Sequence, residues 1–318
     1  MKISVLGAGR WGSFIAWYLS KNHAVTLWTR PDSQRSQSLI ATRCNGLLTF
    51  DNTCTITTDL EKALDTDTVV ISISSQNLRS FASTLAEYSP NRKRRFILCM
   101  KGLEYTTGKR LTEVFAEGYG YPADVAVWLG PGHVQDFVAG IPNCMVIDSE
   151  SESLKKELCE QFSSSIIRFY YGHDLLGNEI GAASKNVIGI AAGMLDGLGL
   201  SSLKGALMAR GAYEISRLIG RMGGYPMSAY GLCHLGDYEA TVFSPHSHNR
   251  AYGEAFVKKE EYKDLAEGVM TCRAMMVLSE KYDVELPISR AVYSTLFEEA
   301  VPGETLNALF SRKMKNEF

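Results

Sequence analysis

The chain opens on a short apolar run, Lys2-Ile3-Ser4-Val5-Leu6. It breaks at Gly7 and gives way to Phe14, Ile15, Trp17, Tyr18 and Leu19, spaced as on a helix. A second run, HAVTLWTR at 23–30, follows. Four more near-continuous apolar runs of buried-strand length come at 68–74, 95–100, 125–129 and 144–148. Helix-like stretches at 78–88, 109–117 and 154–162 separate them. Apolar strands alternating with amphipathic helices predict a mostly parallel sheet covered on both faces. After Tyr171 the pattern changes: 174–198, 203–222, 248–259, 262–282 and 289–300 read as helices with no strand between them. In 203–222, Leu203, Leu207, Ile215, Leu218 and Met222 recur at spacings compatible with one helix face.

Composition narrows the class. The 318 residues carry 33 Lys and Arg against 35 Asp and Glu, a net charge of −2 that argues against a nucleic-acid backbone or an anionic membrane as the main partner. With 45% hydrophobic and 21% charged residues the chain can build a substantial core, so it is not a disordered sequence. Seven cysteines (Cys44, Cys54, Cys99, Cys144, Cys159, Cys233 and Cys272) are dispersed, and no two stand at C-x-x-C spacing. That fits reduced thiols rather than a disulfide framework or a zinc site. No run of 18 apolar residues suggests membrane insertion. Gly7, Gly9, Arg10 and Gly12 interrupt the N-terminal run, which is unlike a signal peptide. The expectation is a cytoplasmic protein.

Gly7-x-Gly9-x-x-Gly12 is a weak motif alone, but here it follows a strand and opens a helix. In that setting the first glycine permits the tight turn, the second lets backbone approach a pyrophosphate, and the third allows close helix–strand packing. The helix N-terminus offers N–H groups and partial positive charge to phosphates. Residues 1–170 are therefore predicted to form an α/β dinucleotide-binding Rossmann domain, and 171–318 an all-α substrate and catalytic domain. No Pro/Ser/Gly-type linker divides them, so a long helix is expected to cross the boundary. An acid that would hold a ribose 2′-hydroxyl is missing from the end of the second strand, where Trp28-Thr29-Arg30 precedes Asp32. Arg30 favours a 2′-phosphate, hence NADP over NAD.

Two lysines stand out. Lys101 lies just beyond an apolar strand, the edge where open α/β sheets bind ligands, although lysine there also serves solubility. Lys185, in AASKNVI, is the only cation between Arg168 and Lys204. Apolar surroundings desolvate an ammonium and make it a usable proton donor or acceptor; the alternative is a lysine whose head snorkels to water. Asp237, after Gly236, reads as a turn or a site carboxylate, and Ser247-His248-Asn249-Arg250 as a helix start or a polar site. His246 and His248, two residues apart, do not face one ion on a helix, so no metal is expected.

Together these segments resemble the NAD(P)-dependent glycerol-3-phosphate dehydrogenases of the soluble bacterial type over nearly the whole chain. The residues carrying the resemblance are GAGRWG at 7–12, KGLE at 101–104 with TGKR at 107–110, Gly130-Pro131, GNEIGAASKNVIGIAAGMLDGLG at 177–199 and Ala209-Arg210-Gly211. Gly231-Leu232, Leu235-Gly236-Asp237, Ser247, Asn249-Arg250 and Glu267-Gly268 complete the set. The resemblance implies an active site between a Rossmann and a helical domain, and a homodimer. It further implies Lys185 as the catalytic proton acceptor or donor, with Lys101 and Asp237 as companions and Asn186 beside them. Arg10, Trp11, Arg30 and Glu267 match cofactor-contacting positions, Ser247 and Asn249 substrate-contacting ones.

The pattern departs from the family at the substrate end. The family reads Ser-Arg-Asn where this chain has Ser247-His248-Asn249, and Gly-Pro-Ser/Asn-Phe where it has Gly130-Pro131-Gly132-His133. The missing arginine holds the substrate phosphate in the family, and histidine has neither its permanent charge nor its planar fork. Three outcomes stay open. Arg250, Lys204 or a protonated His248 takes over the phosphate of glycerol 3-phosphate; the pocket serves a different polyol phosphate or hydroxy-ketone; or the protein is a non-catalytic NAD(P)-binding sensor.

Overall fold

The structure is a computed structural model and describes residues 1–31, 33–88, 93–314 and 316–317. Asp32 lies outside the described residues. The chain divides into two compact units, one of Met1–Lys101 with Arg110–Leu175, the other of Gly102–Lys109 with Leu176–Phe318.

The first unit is built on an eight-stranded sheet: β1 (Lys2–Leu6), β2 (Ala24–Trp28), β3 (Cys54–Thr57), β4 (Thr68–Ile71), β5 (Arg95–Leu98), β6 (Asp124–Leu129), β7 (Asn143–Ser149) and β8 (Ile167–Tyr171). Its order is β3-β2-β1-β4-β5-β6-β7-β8, with β6 and β7 antiparallel and the other neighbours parallel. The accompanying helices are α1 (Arg10–Leu19), α2 (Gln34–Thr42), α3 (Leu60–Ala63), α4 (Leu78–Glu87), α5 (Leu111–Tyr119), α6 (Val134–Val138) and α7 (Glu152–Phe162). From β1 the chain builds outward to β3 on one side, then restarts at β4 on the other. The C-terminal end of β1 is thus the point where the strand order reverses, the ligand-binding position of such sheets. Phe14, Ile15 and Tyr18 of α1 join Ile3, Val5 and Trp128 of the sheet in one core.

The second unit is helical: α8 (Leu175–Gly197), α9 (Lys204–Arg221), α10 (His248–Lys258), α11 (Glu267–Lys281), α12 (Pro287–Phe297) and α13 (Pro302–Phe310). Between α9 and α10 lie short 3₁₀ turns, including Leu235–Asp237, and a π-helical turn, Glu239–Phe243. Every residue of α8 from Gly177 to Leu195 is buried, so this helix is the axis of the unit. Its glycines let neighbours approach at backbone distance. A β-carbon on Gly193 would lie 1.9 Å from the Arg250 carbonyl oxygen, and one on Gly189 would lie 2.7 Å from Cγ2 of Thr241. Residues 102–109, which the alternation along the chain leaves with the first domain, group with the helical unit because Leu103 is buried in its core and Gly108 packs on Leu278.

Six of the eight strands coincide with the apolar runs; β3 and β8 do not. Both are edge strands whose outward residues are half-buried or exposed, so their apolar runs are broken. Strand β2 is also shorter than the 23–30 run, and α11 begins at Glu267, after an extended stretch. Short helices α2, α3, α6 and α13 had no clear apolar period. Among the described residues, no helix is long and apolar enough to cross a membrane.

Glu214 of α9 ties two helices. Its carboxylate accepts from the backbone N–H groups of Ile288 (2.7 Å) and Ser289 (3.0 Å) and from the Ser289 hydroxyl (2.7 Å). Those N–H groups belong to the first turn of α12, which has no intrahelical acceptor for them. Burial raises the Glu214 pKa, against the lowering effect of these donors. Glu214→Ala should strand the donors and cost about 2 kcal/mol, seen as a lower urea midpoint by far-ultraviolet circular dichroism. An unchanged midpoint would remove Glu214 as the cap of α12.

Candidate active site

In the first unit, Gly7 follows the last residue of β1 with φ of +112°, and its N–H donates to the Trp28 carbonyl at 3.1 Å. A β-carbon on Gly7 would lie 2.2 Å from the Ser72 carbonyl oxygen, and one on Gly12 1.9 Å from that of Gly7. Only glycine permits this turn. Gly9 differs: a β-carbon there would meet no atom within 4 Å, so the loop leaves open space over the start of α1. No side chain caps α1 and no acidic residue lies in its first turn. The residues present fit a pyrophosphate, which would take the helix-end N–H groups and the partial positive charge there.

Arg10 is exposed at the first position of α1, and Arg30 is exposed two residues past β2. Trp11 turns inward, with its ring 5.2 Å from Phe14, 6.3 Å from Phe137 and 6.5 Å from Trp128. The ring therefore packs α1 against the core. Lys101 donates to the Gly130 carbonyl oxygen at 2.6 Å, which ties the ends of β5 and β6 together. Gly132 suits its backbone. Its φ is +136°, and a β-carbon would lie 2.4 Å from the Phe137 ring, so no serine or asparagine fits this backbone.

In the helical unit, Lys185 is 7% exposed. Nζ lies 2.8 Å from Oδ2 of Asp237 and donates to the Thr241 hydroxyl at 2.7 Å. Thr241 passes its own proton to the Asp237 carbonyl oxygen, also at 2.7 Å. The 3₁₀ turn presents Asp237 and the π-helical turn presents Thr241, four residues on, to the same amine. A buried ion pair seldom stabilises a fold more than apolar packing would, because both charges lose water.

Asn186 accepts from the side-chain amide of Asn249 at 3.0 Å, and Asn249 accepts from the Gly268 N–H at 2.9 Å. This chain holds the starts of α10 and α11 against α8 beside Lys185, with Glu267 at the first position of α11. Ser247 is the N-cap of α10, its hydroxyl accepting from the Arg250 N–H at 3.3 Å. Arg250 reaches Asp196 at 2.8 Å and Glu254 at 3.1 Å, and Lys204 reaches the same Asp196 at 2.6 Å. Burial works against the charge on Asp196, but hydrogen bonds from Lys204, Ser201 and Arg250 lower its pKa below the ordinary value. His248 sits otherwise, with Nδ1 2.7 Å from the Tyr262 hydroxyl and 3.8 Å from Asp264.

The helical unit therefore gathers Lys185, Asn186, Asp237 and Asn249, while Arg250 turns to the Asp196 network. Sequence reasoning missed Thr241, Tyr262 and the buried His234 described below. The four-residue step from Asp237 was the one available signal for Thr241.

Comparison with known proteins follows the same division. The model of the NAD-dependent glycerol-3-phosphate dehydrogenase N-terminus matches residues 2–155, and that of the C-terminus residues 174–307. The glycerol-3-phosphate dehydrogenase [NAD(P)+] of Prosthecochloris aestuarii is 37% identical, with all of both chains covered. That of a Thermoanaerobacter species is 36% identical, covering all of this chain and 99% of its own. The crystal structure of the Coxiella burnetii glycerol-3-phosphate dehydrogenase superposes with a TM-score of 0.90 at 28% identity, covering 98% of this chain and 99% of that one. The chain belongs to the NAD-dependent glycerol-3-phosphate dehydrogenase family.

Proposed function

We propose that this protein interconverts dihydroxyacetone phosphate and sn-glycerol 3-phosphate with NAD(P), Lys185 being the proton donor and acceptor. The observation that carries this reading is the buried Lys185 amine held between Asp237 and Thr241. As a member of its family the protein is an NAD(P)-dependent oxidoreductase acting on a CH–OH group. The dinucleotide, when bound, supplies or takes up the hydride.

The protein's own residues handle charge and protons. As the ketone oxygen becomes an alkoxide, an ammonium within hydrogen-bond reach stabilises it and then gives up a proton. Asp237 keeps that amine charged until then, and Thr241 fixes its direction. Asn186 and Asn249 are assigned to orienting the substrate, together with Ser247. Gly7, Gly9, Arg10, Trp11 and Gly12 are assigned to the cofactor, as are Arg30 and Glu267. Lys101 is proposed to contact cofactor and substrate, and the Gly130 backbone the substrate. The reading includes a cytoplasmic homodimer.

His248 supports a second reading. Arg250 and Lys204 are committed to Asp196, which leaves His248, next to Asn249 and bonded to Tyr262, as the nearby group for a phosphate. An imidazole held by a hydroxyl suits a less anionic substrate, so a different polyol phosphate or a hydroxy-ketone is the alternative. Assay of NAD(P)H oxidation with a panel of phosphorylated and unphosphorylated ketoses separates the two. The first reading expects dihydroxyacetone phosphate to be the best substrate; no turnover with it, alongside tight NADPH binding, selects the second.

Lys185→Ala should lower turnover by about 10²–10⁴-fold while leaving NADPH affinity, measured by fluorescence titration, unchanged. Turnover close to that of the unsubstituted protein would exclude Lys185 as the proton donor. Arg30→Ala should weaken NADPH binding and spare NADH, since only NADPH carries the 2′-phosphate. An unaltered preference would show that another group reads the cofactor.

A further inference from the structure

His234 is fully buried three residues before Asp237. Its Nδ1 lies 2.9 Å from the Gly181 carbonyl oxygen of α8 and 3.4 Å from the Ser184 hydroxyl oxygen. The Ser184 proton goes to the Ile180 carbonyl at 2.7 Å, so the imidazole proton sits on Nδ1 and points into α8. Nε2 then accepts from the Tyr238 hydroxyl, 2.7 Å away. The two rings meet edge-on with centroids 4.8 Å apart. Asp237 thus stands between two anchored aromatic residues.

Two glycines make room for these rings. A β-carbon on Gly181 would lie 3.0 Å from Cβ of His234, and one on Gly211 of α9 would lie 3.0 Å from the Tyr238 hydroxyl. Gly181 stands one helical turn before Lys185, and α-helical geometry directs the backbone N–H of Lys185 to the Gly181 carbonyl. One turn of α8 is therefore gripped at both ends by residues 234–241. The imidazole holds Gly181, while the carboxylate of Asp237 and the hydroxyl of Thr241 hold the amine of Lys185.

We propose that His234, with Tyr238, is a positioning residue that clamps the 234–241 turn onto α8 and so holds Asp237 and Thr241 in reach of Lys185. The clamp rests on Lys185 being the proton donor. It works only with a neutral imidazole, because a protonated one would lose its acceptor for the Tyr238 hydroxyl and set a second cation beside Lys185. Burial, helped by the Lys185 charge, pushes the His234 pKa down to about 4, against the raising effect of the Gly181 and Gly211 carbonyls and the Asp237 charge. Burial, with Glu214 and Tyr230, keeps the Tyr238 hydroxyl protonated.

The test compares His234→Ala, His234→Asn, Tyr238→Phe and Lys185→Ala by kcat, KM and NADPH affinity across pH, in the direction of ketone reduction. Reduction needs the ammonium, so kcat falls on the alkaline side as Lys185 loses its proton. His234→Ala should cut kcat about 10²-fold, leave NADPH affinity unchanged and move that alkaline limb to lower pH, since an ammonium drawn away from a carboxylate deprotonates more readily. His234→Asn, whose amide can replace the donor to Gly181, should recover part of the rate. Tyr238→Phe should shift the limb the same way by less. Variants that melt at lower temperature yet keep kcat and the alkaline limb would overturn the clamp. If His234→Ala does not fold, an unmoved limb in both of the other variants overturns it. Should Lys185→Ala retain turnover, the proton-donor assignment fails and takes the clamp with it. If Lys185→Ala is inactive and the other profiles are unmoved, only the clamp fails.

Discussion

An ammonium group removed from water must be compensated by its neighbours, and the helical unit is arranged around that requirement at Lys185. A carboxylate and a hydroxyl, both within 2.8 Å, take the place of water around Nζ. To place them there, the chain between α9 and α10 abandons regular helix for 3₁₀ and π-helical turns. Glycines in α8 let those turns approach the helix closely. Gly181 admits His234, Gly189 admits Thr241, and Gly193 admits the backbone of α10. The small-residue character of 177–199 is thus a packing consequence of the site. A bulkier α8 would bury as much apolar surface but would push Asp237 and Thr241 away from the amine.

The first unit solves a different problem, offering a place that fits a pyrophosphate. Its means are a glycine turn at the reversal of strand order and the uncapped start of α1. Trp11 shows how economically the segment is used: it lies in the phosphate loop by sequence, yet it anchors α1 in an aromatic cluster with Phe14, Phe137 and Trp128. Gly132 belongs to the same logic. Its left-handed conformation and its closeness to the Phe137 ring leave no room for a side chain there.

What could be read in advance follows from burial. Central strands are covered on both faces, so β1, β4, β5 and β6 appear as continuous apolar runs. Edge strands β3 and β8 keep polar or exposed positions and stay hidden among loop-like sequence. Lys185 was legible for the opposite reason, as the one Lys or Arg between Arg168 and Lys204 in a largely apolar stretch. Asp237 looked like a turn residue, and it is one, since the turn and the site are the same structure. His234 carries no local signal, and Thr241 none beyond its four-residue step from Asp237. A threonine in a π-helical turn and a histidine in a loop acquire meaning only when α8 brings Gly181 and Lys185 beside them. Arg250 shows the converse, because a cation next to Ser247-His248-Asn249 was a natural phosphate ligand until Asp196, 54 residues earlier, claimed it.

The central claim is that Asp237 holds the Lys185 amine in the charged form that donates the proton. Its most direct test is the pH dependence of kcat for ketone reduction in Asp237→Asn, with NADPH affinity measured beside it. Loss of the carboxylate should move the alkaline limb to lower pH, with cofactor binding unchanged. A limb that stays where it is in the unsubstituted protein would contradict the account.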